Sequence, residues 1–265
     1  MRLDDCSALI TGGSAGLGRE FARQLAGRAR SLILVARREQ KLNELRDELK
    51  QQHPNLTVHI RPTDLADRAQ QKELIAGLER EKIDVDLLIN NAGFGDSGSF
   101  VTSDPRHNEQ MMLVNMVALT SLTRHLLPKM IVRKRGAILN VSSSAGFLPI
   151  PSFAVYAATK AYVTSFSEAL RAELRSTGVT VSTLCPGPVH TEFQEVATRS
   201  GGQPESGPEF VHVSVEQVVH DALAALEADR PLVIPGLAMK LGMFLVRITP
   251  MPILRWASRF SAKRT

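Results

Sequence analysis

A tyrosine and a lysine spaced four residues apart are the first side chains in this sequence that suggest chemistry. Tyr156 and Lys160 both carry exchangeable protons, and an i, i+4 pair lies on the same side of an α-helix. Such a pair is usually structural when it stands alone. A serine run, 142–144, follows a buried-looking strand, and Ser143 lies 13 residues before the tyrosine. Together these features make the segment a candidate catalytic site.

A glycine-rich segment between the first predicted strand and the first predicted helix can bind phosphate. Residues 11–18 read TGGSAGLG, with glycines spaced as G-x-x-x-G-x-G. Glycines allow a tight turn and let the backbone approach a pyrophosphate, which then sits at the positive end of the helix. An ordinary turn uses glycine for the same backbone freedom, so this alternative stays open. The candidate contacts are Gly12, Ser14, Gly16, Leu17 and Gly18.

Two arginines follow the second predicted strand. In dinucleotide-binding folds the residue at this point contacts the adenosine ribose and distinguishes the two cofactors. An acidic residue accepts a hydrogen bond from the 2′-hydroxyl of NAD, whereas arginine accommodates the 2′-phosphate of NADP. Here the acid is absent, and Arg37 and Arg38 stand in its place. This favours NADP(H) over NAD(H). The alternative is a solvated basic start to the next helix.

Short Val-, Ile- and Leu-rich runs alternate with longer helical patterns, which is typical of βαβ units and a parallel sheet. Most runs lack polar alternation, as expected for strands covered on both faces. The predicted strands are Ser7–Thr11, Ser31–Ala36, Thr57–Pro62, Val85–Asn90, Gly136–Ser142, Val179–Leu184 and Leu232–Ile234. The predicted helices are Gly18–Ala29, Arg38–Gln51, Arg68–Lys82, Pro105–Arg133, Phe153–Ser176 and Val215–Ala228. No repeat or linker divides the chain, so we expect a single α/β domain.

The motifs occur together in the order of a known family. Besides the glycine turn, the serine run and the tyrosine–lysine pair, the sequence contains Asp64-Leu65, Asn90-Asn91-Ala92-Gly93, Asn115, and Pro186-Gly187 followed by Thr191. On these motifs, which span residues 11 to 191, the sequence resembles the short-chain dehydrogenase/reductase family in its shorter-subunit branch. The resemblance implies a doubly wound, Rossmann-type parallel sheet of seven strands in the order 3-2-1-4-5-6-7. It also implies a substrate lid over 188–214.

The resemblance assigns a role to each catalytic candidate. Tyr156 is the general acid in carbonyl reduction and the base in the reverse reaction. Because a free tyrosine has a pKa of about 10, it needs a nearby cation, which Lys160 supplies while also holding the nicotinamide ribose. Ser143 hydrogen-bonds the substrate oxygen. Asn115 anchors a water that relays protons; the alternative is a helix residue that bonds to neighbouring backbone.

The same resemblance implies the rest of the cofactor site. Asp64 touches the adenine, Asn91 and Gly93 line the cleft, and residues 186–191 close over the nicotinamide amide. The implied contacts outside the glycine turn and the arginine pair are Asp64, Leu65, Asn91, Ala92, Gly93, Tyr156, Lys160, Pro186, Gly187, Val189 and Thr191. At Ala15 many NADP-preferring relatives carry a base, so the preference for NADP(H) rests on the two arginines.

These features predict an NADPH-dependent oxidoreductase that interconverts a carbonyl and an alcohol and acts as a reductase. The mixed content of 188–214, without a cluster of bases, favours a hydrophobic ketone, aldehyde, 3-oxoacyl or keto-lipid substrate. The alternative is a non-catalytic dinucleotide-binding regulatory protein that recruits partners or membrane through its tail. The intact catalytic candidates argue against it. Family members commonly pair through the two long helices, so we expect a homodimer or homotetramer.

Positive charge is concentrated near the C-terminus. Seven Lys or Arg residues and no Asp or Glu follow Asp229, so the formal net charge of +5 does not indicate a nucleic-acid-binding surface. We expect a catalytic dinucleotide-binding domain over 1–235 and an amphipathic extension over 236–265. The extension mixes bases with apolar residues, which suits an anionic membrane surface. A helix pair packed beside the cleft or against a second subunit is the alternative.

The remaining composition suits a cytoplasmic enzyme without a metal. Cys6 and Cys185 form no metal-type spacing, and the seven histidines are scattered. The first ten residues include acids where a secretion signal needs an apolar stretch. No window reaches the length of about 18 uncharged apolar residues that a spanning helix needs.

Overall fold

The protein is built on one parallel sheet. The computed structural model describes residues 2–189, 212–250 and 252–256. The strands are β1 (Ser7–Thr11), β2 (Ser31–Ala36), β3 (Thr57–Pro62), β4 (Leu87–Asn90), β5 (Gly136–Val141), β6 (Val179–Leu184) and β7 (Leu232–Val233). All neighbours pair in parallel in the order β3-β2-β1-β4-β5-β6-β7, which confirms the expected order and the seven-stranded sheet.

Helices cover both faces of the sheet. They are α1 (Gly16–Ala26), α2 (Glu39–Gln52), α3 (Arg68–Arg80), α4 (Pro105–Met112), α5 (Leu119–Arg133), α6 (Ala154–Glu173), α7 (Val215–Glu227) and α8 (Leu237–Ile248). Two short 3₁₀ segments lie at Phe100–Thr102 and Ser144–Phe147. Within the described ranges, none of the helices has the length and apolar character needed to cross a bilayer.

Alternate residues of the central strands pack against opposite helical layers, because successive strand side chains point to opposite faces. In β2, Leu32 and Leu34 join the apolar cluster that includes residues of α1, α2 and α7. Ile33 and Val35 join the cluster that includes residues of α3, α5 and α6. Strands β1, β2, β4 and β5 are therefore buried along their whole length. The doubly wound prediction is confirmed.

Helix boundaries differ from the sequence prediction at one important place. The long helix predicted over 105–133 is present, but residues 113–118 between α4 and α5 are π-helical. Short π segments inside α-helices are rare and are often found at functional sites. Asn115 lies within this segment. Helix α6 also ends earlier than predicted, at Glu173, and a turn follows it before β6.

Helix α8 packs against the sheet edge by one face. Met239 is buried with Cys185 and Ile234 in a third, small apolar cluster, and Met243 packs against that cluster. Gly187 is in close contact with Met239, since a Cβ added at Gly187 would stand 3.0 Å from Met239 Cγ. The first part of the predicted C-terminal extension is thus in contact with the end of β6.

Gly178 is required by its backbone conformation, and substituting it should destabilise the protein. Its φ is +81°, and an added Cβ would collide with the backbone carbonyl of Lys134. We expect Gly178→Ala to lower the free energy of unfolding by about 1–3 kcal/mol in urea denaturation. Gly77→Ala within α3 is the matched control, because only the Arg80 side chain, 3.7 Å away, would meet its Cβ. That control should be neutral or stabilising by up to about 1 kcal/mol; equal losses in both variants would contradict the argument.

Candidate active site

A cleft of about 690 Å³ lies at the carboxyl ends of the strands. In a doubly wound sheet this is the edge where ligands bind, beside the point at which the strand order reverses. Most of the predicted site residues line it. They are Gly12, Ser14, Gly16, Leu17, Arg37, Arg38, Asp64, Leu65, Asn91, Ala92, Gly93, Ser143, Tyr156, Lys160, Pro186, Gly187 and Val189. Of the other three, Gly18 and Asn115 stand behind the lining, and Thr191 lies outside the described residues.

The glycine turn forms the floor of one end of the cleft. Gly12 has φ +69°, and an added Cβ would stand 2.7 Å from Asn91 Nδ2 and 3.0 Å from Ala92 Cα. Helix α1 starts at Gly16 without a side-chain cap from Ala15. Gly16 and Leu17, the first residues of this helix, line the cleft. The N-terminal end of the helix, where the amides are uncapped and the helix dipole is positive, therefore lies at the cleft and suits an anionic group.

Thr11 fastens the turn to the neighbouring strand, a function that the sequence analysis did not assign to it. Its hydroxyl donates to the Ile89 carbonyl and accepts from the Asn91 and Ala92 amides, at 3.3, 2.9 and 2.9 Å. Asn91 makes a second hydrogen bond to the same residue: its Nδ2 donates to the Thr11 carbonyl at 2.9 Å. The ends of β1 and β4 are thus held together across the cleft. The feature of the sequence that could have indicated this role is the threonine directly before the glycines.

Basic side chains lie at the same end of the cleft as the glycine turn. Arg37 and Arg38 are both exposed there. Nη2 of Arg38 donates to Ser14 Oγ at 3.3 Å, which holds its guanidinium against the glycine turn. Asp64 lies on the opposite wall, where its carboxylate accepts from the Ala66 amide at 2.9 Å.

Tyr156 and Lys160 lie on one side of the first turns of α6, as their spacing predicts. Both are buried, and Lys160 Nζ stands 5.7 Å from the centroid of the Tyr156 ring. The ammonium also donates to the Val141 carbonyl at 2.9 Å, which directs it toward the end of β5. The helix thus presents a phenol and an amine side by side at the cleft.

Burial dominates the protonation of this pair. It raises the pKa of Tyr156 to about 12, while a hydrogen bond from Ser143 acts in the opposite direction. It lowers the pKa of Lys160 to about 8. Desolvation disfavours the charged form of each group, so it raises the pKa of the phenol and lowers the pKa of the amine. That Lys160 lowers the pKa of the tyrosine, as the resemblance implies, stays a prediction. Near neutrality the phenol is therefore a proton donor.

The structure separates the three consecutive serines. The Ser142 hydroxyl is buried and donates to the Lys160 carbonyl at 2.8 Å, which ties β5 to α6. Ser143 lines the cleft, and its Oγ accepts from the Ala145 amide at 3.1 Å at the start of the 3₁₀ segment. Ser144 also lines the cleft. Ser143 is the serine that bonds to Tyr156, in agreement with the spacing argument.

Asn115 is buried behind the cleft and holds one of its walls. Its Oδ1 accepts from the Phe94 amide at 3.2 Å, and its Nδ2 donates to the Phe94 carbonyl and to Thr159 Oγ1, both at 3.0 Å. A Cβ at Gly93 would stand 3.0 Å from Asn115 Oδ1 and 3.3 Å from Lys160 Nζ. The same small space is therefore bordered by the asparagine and by the catalytic lysine candidate.

Apolar side chains that the sequence analysis did not single out as site residues form the end of the cleft around Tyr156. They come from the loop after β4, from the π segment, from the loop after β5 and from α8. They are Phe94, Val114, Leu148, Ile150, Phe153 and Met243. Gln110 and Ser97 are the polar members of this wall. No motif marks these residues, because their position depends on how distant segments fold together.

The chain belongs to the short-chain dehydrogenase/reductase family and is an oxidoreductase. A family model described as short chain dehydrogenase matches residues 7–200. The chain is 36% identical over 195 residues to the NADP-dependent 3-hydroxy acid dehydrogenase of Escherichia coli K12, covering 71% of this chain and 75% of that protein. It is 29% identical over 242 residues to the very-long-chain 3-oxoacyl-CoA reductase of Bos taurus, covering 84% and 75%. The predicted family is confirmed.

Solved structures agree with this assignment. A short-chain dehydrogenase from Sphingobium yanoikuyae in complex with NADPH matches with a TM-score of 0.80 and 30% identity, covering 98% of this chain and 94% of that one. The bulky-bulky ketone specific alcohol dehydrogenase from Comamonas testosteroni matches with a TM-score of 0.76 and 27% identity, covering 93% and 95%. The fold thus extends over nearly the whole length of these proteins.

The buried Lys160 should make stability depend on pH. Its pKa of about 8 lies below the unfolded reference of 10.5, so the cost of burying the ammonium is present in full below pH 8 and fades as the pH rises toward 10.5. We expect Lys160→Met to gain stability relative to wild type at neutral pH, by up to roughly 3 kcal/mol before packing changes. That gain should shrink between pH 8 and pH 10 in urea unfolding.

The control for this experiment is Lys50→Met, which removes an exposed lysine from α2. Its stability difference from wild type should stay constant over the same pH range. A pH-independent difference for Lys160→Met would show that burial does not shift the pKa of this lysine.

Proposed function

We propose that the protein is an NADPH-dependent reductase of apolar ketones, aldehydes or 3-oxoacyl compounds, with Tyr156 as proton donor. The observation that carries this proposal is the joint placement of Ser143, Tyr156 and Lys160 around one point of the cleft. A binding protein has no need for a buried phenol beside a buried amine, because burying both charged forms is costly.

The residues at the other end of the cleft fit NADP(H). Gly12 leaves room that a Cβ would fill, and the uncapped start of α1 suits a pyrophosphate. Arg37 and Arg38 lie where a 2′-phosphate is accommodated in this fold, and they occupy the strand-end position at which NAD-binding folds carry an acidic residue. Relatives support the choice: one is named as NADP-dependent, and one solved structure is a complex with NADPH.

Each side chain has a stated task in the proposed reaction. When bound, the cofactor supplies the hydride. Tyr156 donates its proton to the substrate oxygen, which its raised pKa allows at neutral pH. Ser143, which lines the cleft beside Tyr156, donates its one hydroxyl proton to the same substrate oxygen. Lys160, at 5.7 Å from the Tyr156 ring, places an ammonium beside the negative charge that develops there.

An apolar substrate fits the wall around Tyr156. The side chains that line this end are mainly aromatic or aliphatic, with one amide from Gln110. Among the described lining residues the basic ones are Arg37, Arg38 and Lys160, and of these only the catalytic candidate Lys160 lies near Tyr156. The relatives named for long-chain 3-oxoacyl-CoA and for bulky ketones act on large carbonyl compounds, which agrees with the proposal.

We also propose that the protein forms a homo-oligomer and is located in the cytoplasm. The long helices α5 and α6 carry exposed apolar residues: Ile131, Val132 and Tyr162 are 36%, 84% and 39% accessible. Tyr162 stacks on Phe166 with a centroid distance of 5.9 Å, which makes a flat apolar surface. A second copy paired through these helices would cover it.

Replacing Tyr156 tests the proposed reaction. We expect wild-type protein to oxidise NADPH with members of a panel of hydrophobic ketones, aldehydes and 3-oxoacyl thioesters. Tyr156→Phe should lose about 10²- to 10⁴-fold in kcat, because it loses the proton donor. It should still bind NADPH, as measured by fluorescence titration. The matched control is Tyr162→Phe on the exposed side of α6, which should retain activity. Undiminished turnover in Tyr156→Phe would refute the role.

The arginine pair provides the test of cofactor choice. We expect Arg37→Gln with Arg38→Gln to raise the KM for NADPH about 10- to 100-fold, since charged hydrogen bonds to a phosphate are lost. The KM for NADH should change little. Arg46→Gln, on the exposed part of α2, serves as the control for loss of positive charge. A parallel rise for both cofactors would mean that the arginines do not read the 2′-phosphate.

A further inference from the structure

Helix α8 carries its apolar side chains on two opposite faces. Met239 and Met243 point inward, where they pack near the end of β6. At 100° per residue, positions 237, 241, 244, 245 and 248 fall within one arc on the other side of the helix. These are Leu237, Leu241, Phe244, Leu245 and Ile248, which are 83%, 59%, 58%, 51% and 60% accessible. We call this set the outer face of α8.

The apolar surface continues beyond the helix. After Pro250, residues 252–256 are helical, and Ile253 and Trp256 are 53% and 61% accessible. A helix exposed to water normally carries polar residues on its outward side. Here seven large apolar residues are exposed within 20 positions, and such a concentration of exposed apolar side chains is typical of an interaction site.

The charges around this surface are of one sign. Lys240 lies on the flank of the helix, and Arg247 lies beside it, with its guanidinium 5.8 Å above the Phe147 ring. Arg255 follows in the next helical segment, and by sequence Arg259, Lys263 and Arg264 come after it, without one Asp or Glu from Arg230 to the end. The charged residues that this C-terminal segment itself contributes are therefore all positive.

We propose that the outer face of α8 and residues 252–256 dock on an anionic membrane surface. Apolar side chains of such a helix enter the boundary between headgroups and acyl chains, while the bases bind anionic headgroups. Trp256 suits this boundary because its ring is amphipathic. A second copy of the chain fits less well, because two such faces would bring Lys240, Arg247 and Arg255 toward the same groups without an acid in the segment to pair with them.

Docking by the outer face would place the membrane on the opposite side of the helix from the cleft. Met243 on the inner face lines the substrate end of that cleft. An apolar carbonyl compound dissolved in the bilayer would then be separated from the substrate end of the cleft by one helix diameter, about 10 Å. This supply of substrate rests on the proposed function, whereas the docking itself does not.

The test is sedimentation of the full-length protein with lipid vesicles. We expect it to pellet with vesicles of phosphatidylcholine and phosphatidylglycerol, less at high salt, and to remain in solution with phosphatidylcholine alone.

Leu241→Ser with Phe244→Ser should weaken binding at least about tenfold, because apolar burial is lost. Lys240→Gln with Arg255→Gln should weaken it roughly tenfold for the anionic vesicles. Point variants are preferable to truncation after Pro235, which would also remove Met239 and Met243.

Val101→Ser is the control, since Val101 is 91% accessible in the 3₁₀ segment at Phe100–Thr102 and should not affect binding. Three outcomes overturn the proposal: wild-type protein that stays in solution with anionic vesicles, equal binding to both vesicle types, or full binding by the Leu241→Ser, Phe244→Ser variant. Dissociation of an oligomer by that variant, without vesicle binding by wild type, would assign the face to a second copy.

An activity measurement separates this proposal from the proposed function. Turnover of a water-soluble ketone should be equal in wild type and in the Leu241→Ser, Phe244→Ser variant. Turnover of a long-chain ketone dissolved in anionic vesicles should fall at least about tenfold in that variant, in line with its loss of binding. Vesicle binding without turnover of any carbonyl would contradict only the reductase assignment.

Discussion

The contact of α6 with the end of β5 determines where the catalytic groups stand. Lys160 Nζ donates to the Val141 carbonyl, and the Ser142 hydroxyl donates to the Lys160 carbonyl. Gly146 allows the 3₁₀ segment to lie against the same turn, since an added Cβ would stand 2.8 Å from the Lys160 carbonyl carbon and 2.9 Å from the Ala161 nitrogen. A side chain at this glycine would push the helix away from the strand. The tyrosine, the lysine and the adjacent serine would then no longer share one point of the cleft.

Buried amides extend this contact deeper into the sheet. Asn90 Nδ2 of β4 donates to Asn140 Oδ1 of β5, and Asn140 Nδ2 donates to Ser167 Oγ of α6, both at 2.8 Å. Because an unpaired buried amide is costly, these groups favour a single register of two strands and a helix. Apolar packing alone tolerates small shifts more easily. The polar chain behind the site therefore adds precision where the chemistry needs it.

Much of this arrangement follows from local sequence signals. The strands are apolar runs separated by helical periodicity, and four of them, β1, β2, β3 and β6, have the predicted bounds. The glycine turn and the tyrosine–lysine pair are short motifs whose geometry is set within one or two turns of backbone. Their placement at one edge follows from the parallel sheet, since parallel strands bring all their carboxyl ends together.

The features that sequence could not supply depend on contacts between distant segments. The raised pKa of Tyr156 comes from burial by loops that meet only in the fold. The apolar wall takes one residue or two from each of several segments, and Met243 arrives from a helix near the C-terminus. The π segment at 113–118 has no composition that distinguishes it from the helices on either side. Within it, Asn115 bonds to Phe94 and Thr159, which lie far away in the chain.

The π segment lets one helix serve both the site and the core, which an uninterrupted α-helix with the same sequence could not do. A wide turn bonded i to i+5 accommodates one residue more than an α turn, while the helices before and after it keep their phase. Helix α5 can therefore aim Leu122 and Leu126 into the core as though the additional residue were absent. A one-residue deletion within 113–118 would leave that apolar alignment intact and yet turn Asn115 away from Phe94. The segment thus lets Asn115 meet Phe94 and Thr159 while the apolar residues of α5 stay aligned with the core.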